Sequence, residues 1–293
     1  MTELLSRLSG ATVYVFAAAS MLSLGLGHSL GEIVAPLRDV RIVLRVLVPN
    51  FVFVPVIAVG VAGYLSLDRS LEIGLILIGM AAGAPFLVKL TEHAEHDVAL
   101  SATLLLLLLP ATVVFMTVFV PIAAPDAANV DAVAIARPLE LTMLVPMTVG
   151  FLVRGRSPRW AARVRPALGK LSSASLVVMV ATVVVLNLRA ILDVFGTGAI
   201  LAALLLVALA FVVGYGFGGP SDESRGVLGL ATAQRNIAAA TVVASESFHD
   251  PRTLVMVVTS SLVALGVLFP VAKVLRKRAR GDAGPWIPRR RTT

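Results

Sequence analysis

The chain reads as an all-α membrane protein that crosses the bilayer nine times. Three observations predict this. It has 293 residues, of which 58% are hydrophobic and only 14% charged, with a mean hydropathy of +0.93, whereas soluble domains carry roughly 25% charged residues. Its apolar runs, such as Leu104 to Leu109, are long and lack the alternation of barrel strands. Its basic residues cluster after the first, fifth and ninth segments, which lie on one side of an odd number of spans, as the positive-inside rule favours.

Nine apolar segments follow in order, at about 10–27, 40–65, 70–90, 98–123, 137–154, 167–188, 195–218, 225–245 and 252–275. Arg38 and Arg41 follow the first. Arg154, Arg156, Arg159, Arg163 and Arg165 fill the loop after the fifth. Lys273, Arg276, Lys277, Arg278 and Arg280 follow the ninth. The intervening connections hold Arg69, then Asp126 and Asp131, then Asp193, then Asp250 with Arg252. One side collects the cations only if the number of spans is odd and the C-terminus is cytoplasmic. The N-terminus then lies outside. Glu3 and the want of a cleavage site argue against a signal peptide. Residues 276–293 read as a basic, disordered cytoplasmic tail.

Two segments stand apart. The third holds Gly79, Gly83 and Pro85, followed by Lys89; the eighth holds Thr232, Gln234, Arg235 and Asn236. Proline removes a backbone donor, and glycine loosens the helix around it. A charge at mid-membrane costs at least about 2.5–3.5 kcal/mol and needs a partner or a wet cavity. Interrupted spans in corresponding positions of two halves point to a transporter binding site between two repeats.

These stretches resemble the bile acid:sodium symporter family over nearly the whole chain. The resemblance rests on Ala19 to Leu26, Asn50 to Pro55, Gly83 to Lys89, Asp97 to Ser101 and Thr232 to Ala240. Val98-Ala-Leu-Ser101 and the Gln234-Arg-Asn236 run are its most specific parts. It implies two inverted repeats in one transmembrane unit over 1–275. Segments 1, 5 and 6 would form a panel domain and the other six a core, with the two broken helices crossing at mid-membrane. Substrate would sit between the domains, and alternating access would carry it across.

The family's two sodium sites transfer poorly. Its glutamate in the second crossover falls on Ala231, its serine and asparagine in the first on Leu87 and Val88, and one hydroxyl on Leu105. Asn50 and Ser101 are the residual ion-site positions. At 4 Å a fixed cation would repel sodium by about 4 kcal/mol at an effective dielectric near 20. The resemblance therefore implies a carrier in which Lys89 and Arg235 replace the sodium ions. An arginine suits an organic anion as substrate. Two roles stay open for Arg235: binding that anion, or bonding broken-helix carbonyls across the crossover.

Other polar groups carry weaker signals. Glu92, His93, Glu95, His96 and Asp97 could hold a metal or a proton at i, i+4 spacing, but read better as a solvated loop. Glu72 and Glu140 read as residues at helix starts, and Asn187 and Arg189 as interfacial groups. Ser172, Ser173 and Ser175 form a small polar face. The chain has no cysteine and no phosphate-binding or hydrolase motif, so it reads as a non-enzyme without cofactor. The expected partners are the lipid bilayer and an organic anion, with no nucleic acid; the sequence leaves oligomeric state open. Two rivals are a proton-coupled carrier of a related crossed-helix family and a membrane ligand sensor that does not transport.

Overall fold

The computed structural model describes residues 2–29, 31, 39–123, 132–186, 192, 194–248 and 250–280. The following helices account for almost all of them. They are α1 (Thr2–Gly27), α2 (Val40–Tyr64), α3 (Arg69–Met80), α4 (Leu87–Ala94), α5 (Val98–Ala123), α6 (132–156), α7 (Pro158–Leu186), α8 (Ala199–Phe217), α9 (Asp222–Ala233), α10 (Ile237–Ser247) and α11 (Pro251–Ala279). No strand occurs among the described residues. Helices α2 and α6 each contain a π-helical turn, at Pro49–Phe53 and Glu140–Leu144, with a proline at Pro55 and Pro146 just beyond.

Five helical stretches are long and apolar enough to cross a bilayer: Val40–Tyr64, Val98–Ala123, Ala199–Phe217, Asp222–Ser247 and Pro251–Ala279. Tyr14–Gly27 is a shorter apolar helix. Side chains such as Val56, Ile122, Val177 and Val212 lie exposed on the outside of these rods. An apolar exterior over an apolar core is the pattern of helices in lipid.

Several sequence boundaries move. The third segment is two helices, α3 and α4, with non-helical backbone from Ala81 to Pro85. The expected arginine loop shrinks to Ser157, and Arg159, Arg163 and Arg165 lie in the first turns of α7. Pro158 has its φ preset for the first helical position, and Arg and Ala are good helix formers. Likewise α11 continues to Ala279, so Arg276, Lys277 and Arg278 are helical; cations in a last turn complement the helix dipole. Glu140 sits within the π-turn of α6, not at a helix start. Arg38, Asp126, Asp131, Asn187, Arg189, Asp193, His249 and the tail from Gly281 lie outside the described residues.

Packing gathers the helices around the two breaks. Helix α3 packs on α2, α10 and α11, and α8 packs on α2, α9 and α11. Helix α1 packs most closely on α6 and α7. The α1–α6 contact depends on Gly25 and Gly150. A Cβ on Gly25 would lie 2.2 Å from the Met147 carbonyl oxygen, and one on Gly150 would lie 2.7 Å from that of Leu22. Small residues let membrane helices approach backbone to backbone. Ser20 and Ser172 share a hydrogen bond of 2.5 Å between α1 and α7.

Candidate functional site

The two breaks meet. Asn236 donates its backbone N–H to the Ala81 carbonyl at 2.7 Å and its Nδ2 to the Gly83 carbonyl at 3.0 Å. Its Oδ1 accepts from Ala239 N at 3.1 Å and so caps α10. Thr112 of α5 donates to the Ala82 carbonyl at 3.0 Å, and Leu87 N to that of Ala84 at 2.9 Å. Each carbonyl from Ala81 to Ala84 thus has a partner, as non-helical backbone at membrane depth requires. Gly83 adopts φ +76°, and a Cβ there would stand 3.0 Å from Leu108 Cβ. Glycine is needed on both counts.

Arg235 is buried, with 4% of its surface exposed, and all five of its side-chain N–H groups are used. Nε donates to Ile78 O at 3.2 Å. Nη1 donates to Asn50 Oδ1 at 2.8 Å and to Thr232 O at 3.2 Å. Nη2 donates to Asn50 O at 3.4 Å and to Gly79 O. Ile78 and Gly79 lie in the last turn of α3, and Thr232 in the last turn of α9. These are carbonyls that a helix end leaves without intrahelical partners, at the negative pole of its dipole. Two such poles converge on one guanidinium. Asn50, fully buried in the π-turn of α2, completes the shell; its Nδ2 donates to Val46 O at 2.9 Å and to Thr232 Oγ1 at 3.2 Å.

The positive poles face elsewhere. Ala84, Pro85 and Phe86, at the start of α4, and Ile237, at the start of α10, border a small cavity against Phe16 of α1 and Leu176 of α7. It offers about 30 Å³ to water centres, room for a water or two. Gln234 and Thr241 line it, and Gln234 Oε1 and Thr241 Oγ1 are buried with no partner among the described residues. Orphaned buried acceptors of this kind call for water or a ligand. No charged side chain lines the cavity.

Arg235, Asn236, Thr232, Gln234, Asn50, Gly83 and Pro85 therefore lie together around the two breaks. Lys89 is not: it is exposed on α4, because its position follows a buried Leu87 by two residues and turns away from the crossover. It supplies no second buried cation. Ser101 is buried, but its hydroxyl bonds Val98 O in its own helix. The acidic and histidine cluster disperses. His93 stacks edge-on against Phe269, His96 lies against Gly226, and Glu95 pairs with Arg280. Among the described residues no group of three His, Asp or Glu is placed to hold a metal. The Arg280 hydrogen bonds hold the Glu95 carboxyl below its ordinary range. Sequence reasoning missed Thr112, whose only signal is a hydroxyl in a leucine-rich helix. It also missed Tyr14 of α1, which donates to Glu246 Oε1 of α10 at 2.8 Å.

Residues 15–194 match the model of the sodium bile acid symporter family. The chain belongs to that family. Symporters of this family are membrane transporters, not enzymes, and the chain is accordingly a multi-pass membrane protein. It is also 24% identical over 204 residues to the probable sodium/metabolite cotransporter BASS3, chloroplastic, of Arabidopsis thaliana. That match covers 68% of this chain and 47% of the plant protein. The chain spans about half the length of the curated relative it matches. The family match ends before the second break, so Arg235 takes its place from geometry alone.

Sodium does not fit beside Arg235. The carbonyls of Ile78, Gly79, Thr232 and Asn50, together with Asn50 Oδ1, already accept from the guanidinium. Leu87, Leu105 and Ala231 are buried and bring no side-chain oxygen. A sodium site needs a cage of oxygens with negative character, and the oxygens gathered here are already engaged by a guanidinium.

Proposed function

We propose that this symporter homologue is a secondary carrier of an organic anion that works without sodium, Arg235 serving as a built-in cation. The observation that carries this reading is the saturation of Arg235 by the C-terminal carbonyls of α3 and α9. In transporters with broken helices, C-terminal half-helix ends and unwound carbonyls hold the coupling cation, and N-terminal ends hold the anionic substrate. The same division is present here, with a guanidinium on the cation side. Arg235 has no N–H left for substrate, so the anion is held by the positive poles of α4 and α10 and by donation from Gln234 Nε2 and the Thr241 hydroxyl.

In this reading α1, α6 and α7 form a panel and the other helices a core, as two inverted repeats. The cavity is the closed form of the substrate site, and it opens as panel and core part. The nine-span path places the N-terminus outside and the C-terminus in the cytoplasm. Tyr14 and Glu246 then join panel to core near the outer face.

The test is uptake into proteoliposomes of a set of labelled carboxylates and sulfonates, with sodium or N-methylglucamine as the only bulk cation. Saturable uptake of one class at equal rates in both media is expected. Uptake abolished by sodium removal overturns the resident-cation reading. Binding without flux identifies a sensor instead.

A further inference from the structure

A second site lies away from the crossover, at the joint of α1, α6 and α7. An open cleft of about 440 Å³ is lined by Ser23, Gly27, Arg154, Arg165, Pro166 and Gly169, with Leu26 and Ala162. The volume is that of a small-molecule pocket. Its two arginines have no acidic partner among the described residues, and residues 141–192 contain no Asp or Glu at all. The same stretch carries six cations from Arg154 to Lys170. Exposed Trp160 stands in the first turn of α7, where membrane proteins place aromatic anchors at the headgroup level. The cleft is shaped around one guanidinium: a Cβ on Gly27 would lie 2.8 Å from Arg165 Cζ. With no side chain at Gly27, the Arg165 guanidinium lies against the end of α1.

We propose that this cleft binds the phosphate of an acidic phospholipid headgroup. Arginine presents a planar fork matched to phosphate oxygens. Two arginines on an open cleft, both without a carboxylate partner among the described residues, leave a charge that a phosphate completes. The cleft sits at arginine-rich helix ends beside the exposed Trp160, and basic pockets between membrane helices hold acidic lipids in this manner. A soluble phosphate ester shares the chemistry but has no reason to favour the membrane surface.

The experiment measures thermal stability of the full chain in nanodiscs of phosphatidylcholine, with increasing phosphatidylglycerol or, separately, with soluble glycerol phosphate. Stabilisation by phosphatidylglycerol alone is expected. Arg154→Gln with Arg165→Gln should weaken the apparent phosphatidylglycerol affinity by well over the ~25-fold that general surface attraction, roughly 5-fold per cation, gives for two charges. Gly27→Ala keeps every charge but displaces the Arg165 guanidinium, and should reproduce much of that loss. Arg163→Gln, outside the cleft, should cost no more than the roughly 5-fold of one general surface cation. Stability in pure phosphatidylcholine serves as the folding control for each variant. Equal losses from Arg163→Gln and from the cleft variants reduce the effect to general surface charge and overturn the proposal. Stabilisation by glycerol phosphate at similar concentration overturns the lipid as source.

Discussion

Arg235 shows how a membrane charge is accommodated without an acidic partner. Its five donors meet four backbone carbonyls and one asparagine oxygen. Arg235→Ala leaves the Gly79 and Thr232 carbonyls and Asn50 Oδ1 without the donor they have now, while Ile78 O keeps the Ala81 N–H; at roughly 1–3 kcal/mol for each buried unpaired group, the loss exceeds about 3 kcal/mol. Low folded yield and a lower Tm in detergent are expected. Arg235→Lys keeps the cation with three donors in place of five. It should fold with an intermediate Tm and still bind anions, because the account places substrate away from this side chain. Loss of anion binding in a fully folded Arg235→Lys protein would assign Arg235 to substrate. A pH effect belongs to Asp250, whose carboxyl Ser70 Oγ and the Arg252 backbone N–H hold below its ordinary value. A depressed carboxylate stabilises the fold above its unfolded pKa and loses that contribution as pH falls through the folded one. Wild type should therefore lose Tm below about pH 4 more steeply than Asp250→Asn.

At the scale of elements, the sequence reveals the breaks but not their extent. Pro85 with Gly79 and Gly83, and the polar Gln234-Arg-Asn236 run, locate both interruptions in the apolar segments that hold them. Hydropathy averages over a window, so it reports neither that α3 ends at Met80 nor that α4 begins at Leu87. The same averaging hides the start of α7 at Pro158, where arginines look like a loop but are good helix formers. Lys89 was misplaced for a related reason: its apolar neighbours set its segment, while helix phase sets its direction, and phase needs the true start of α4. The π-turns at Pro49–Phe53 and Glu140–Leu144 leave no mark in composition. Two substitutions test the elements. Gly83→Ala should cost about 1–2 kcal/mol for the left-handed backbone alone, read as a lower Tm. Asn236→Ala removes the cap of α10, about 1 kcal/mol, and orphans the Gly83 carbonyl, so its Tm should fall further than that of Gly83→Ala.

At the scale of the molecule, the crossover sorts charge. Negative helix poles gather on Arg235, and positive poles gather on a cavity lined by Gln234 and Thr241. The family match supplies the transporter class, and the proposed departure from it rests on the position of one guanidinium. That departure was legible as a buried arginine opposite Ala231 and was sharpened by a count of its donors, which no sequence gives. The most direct measurement is the Tm of the purified chain titrated with a stabilising organic anion, in sodium chloride and in N-methylglucamine chloride. Equal ligand affinity in both salts is expected. A ligand response that appears only with sodium would contradict it.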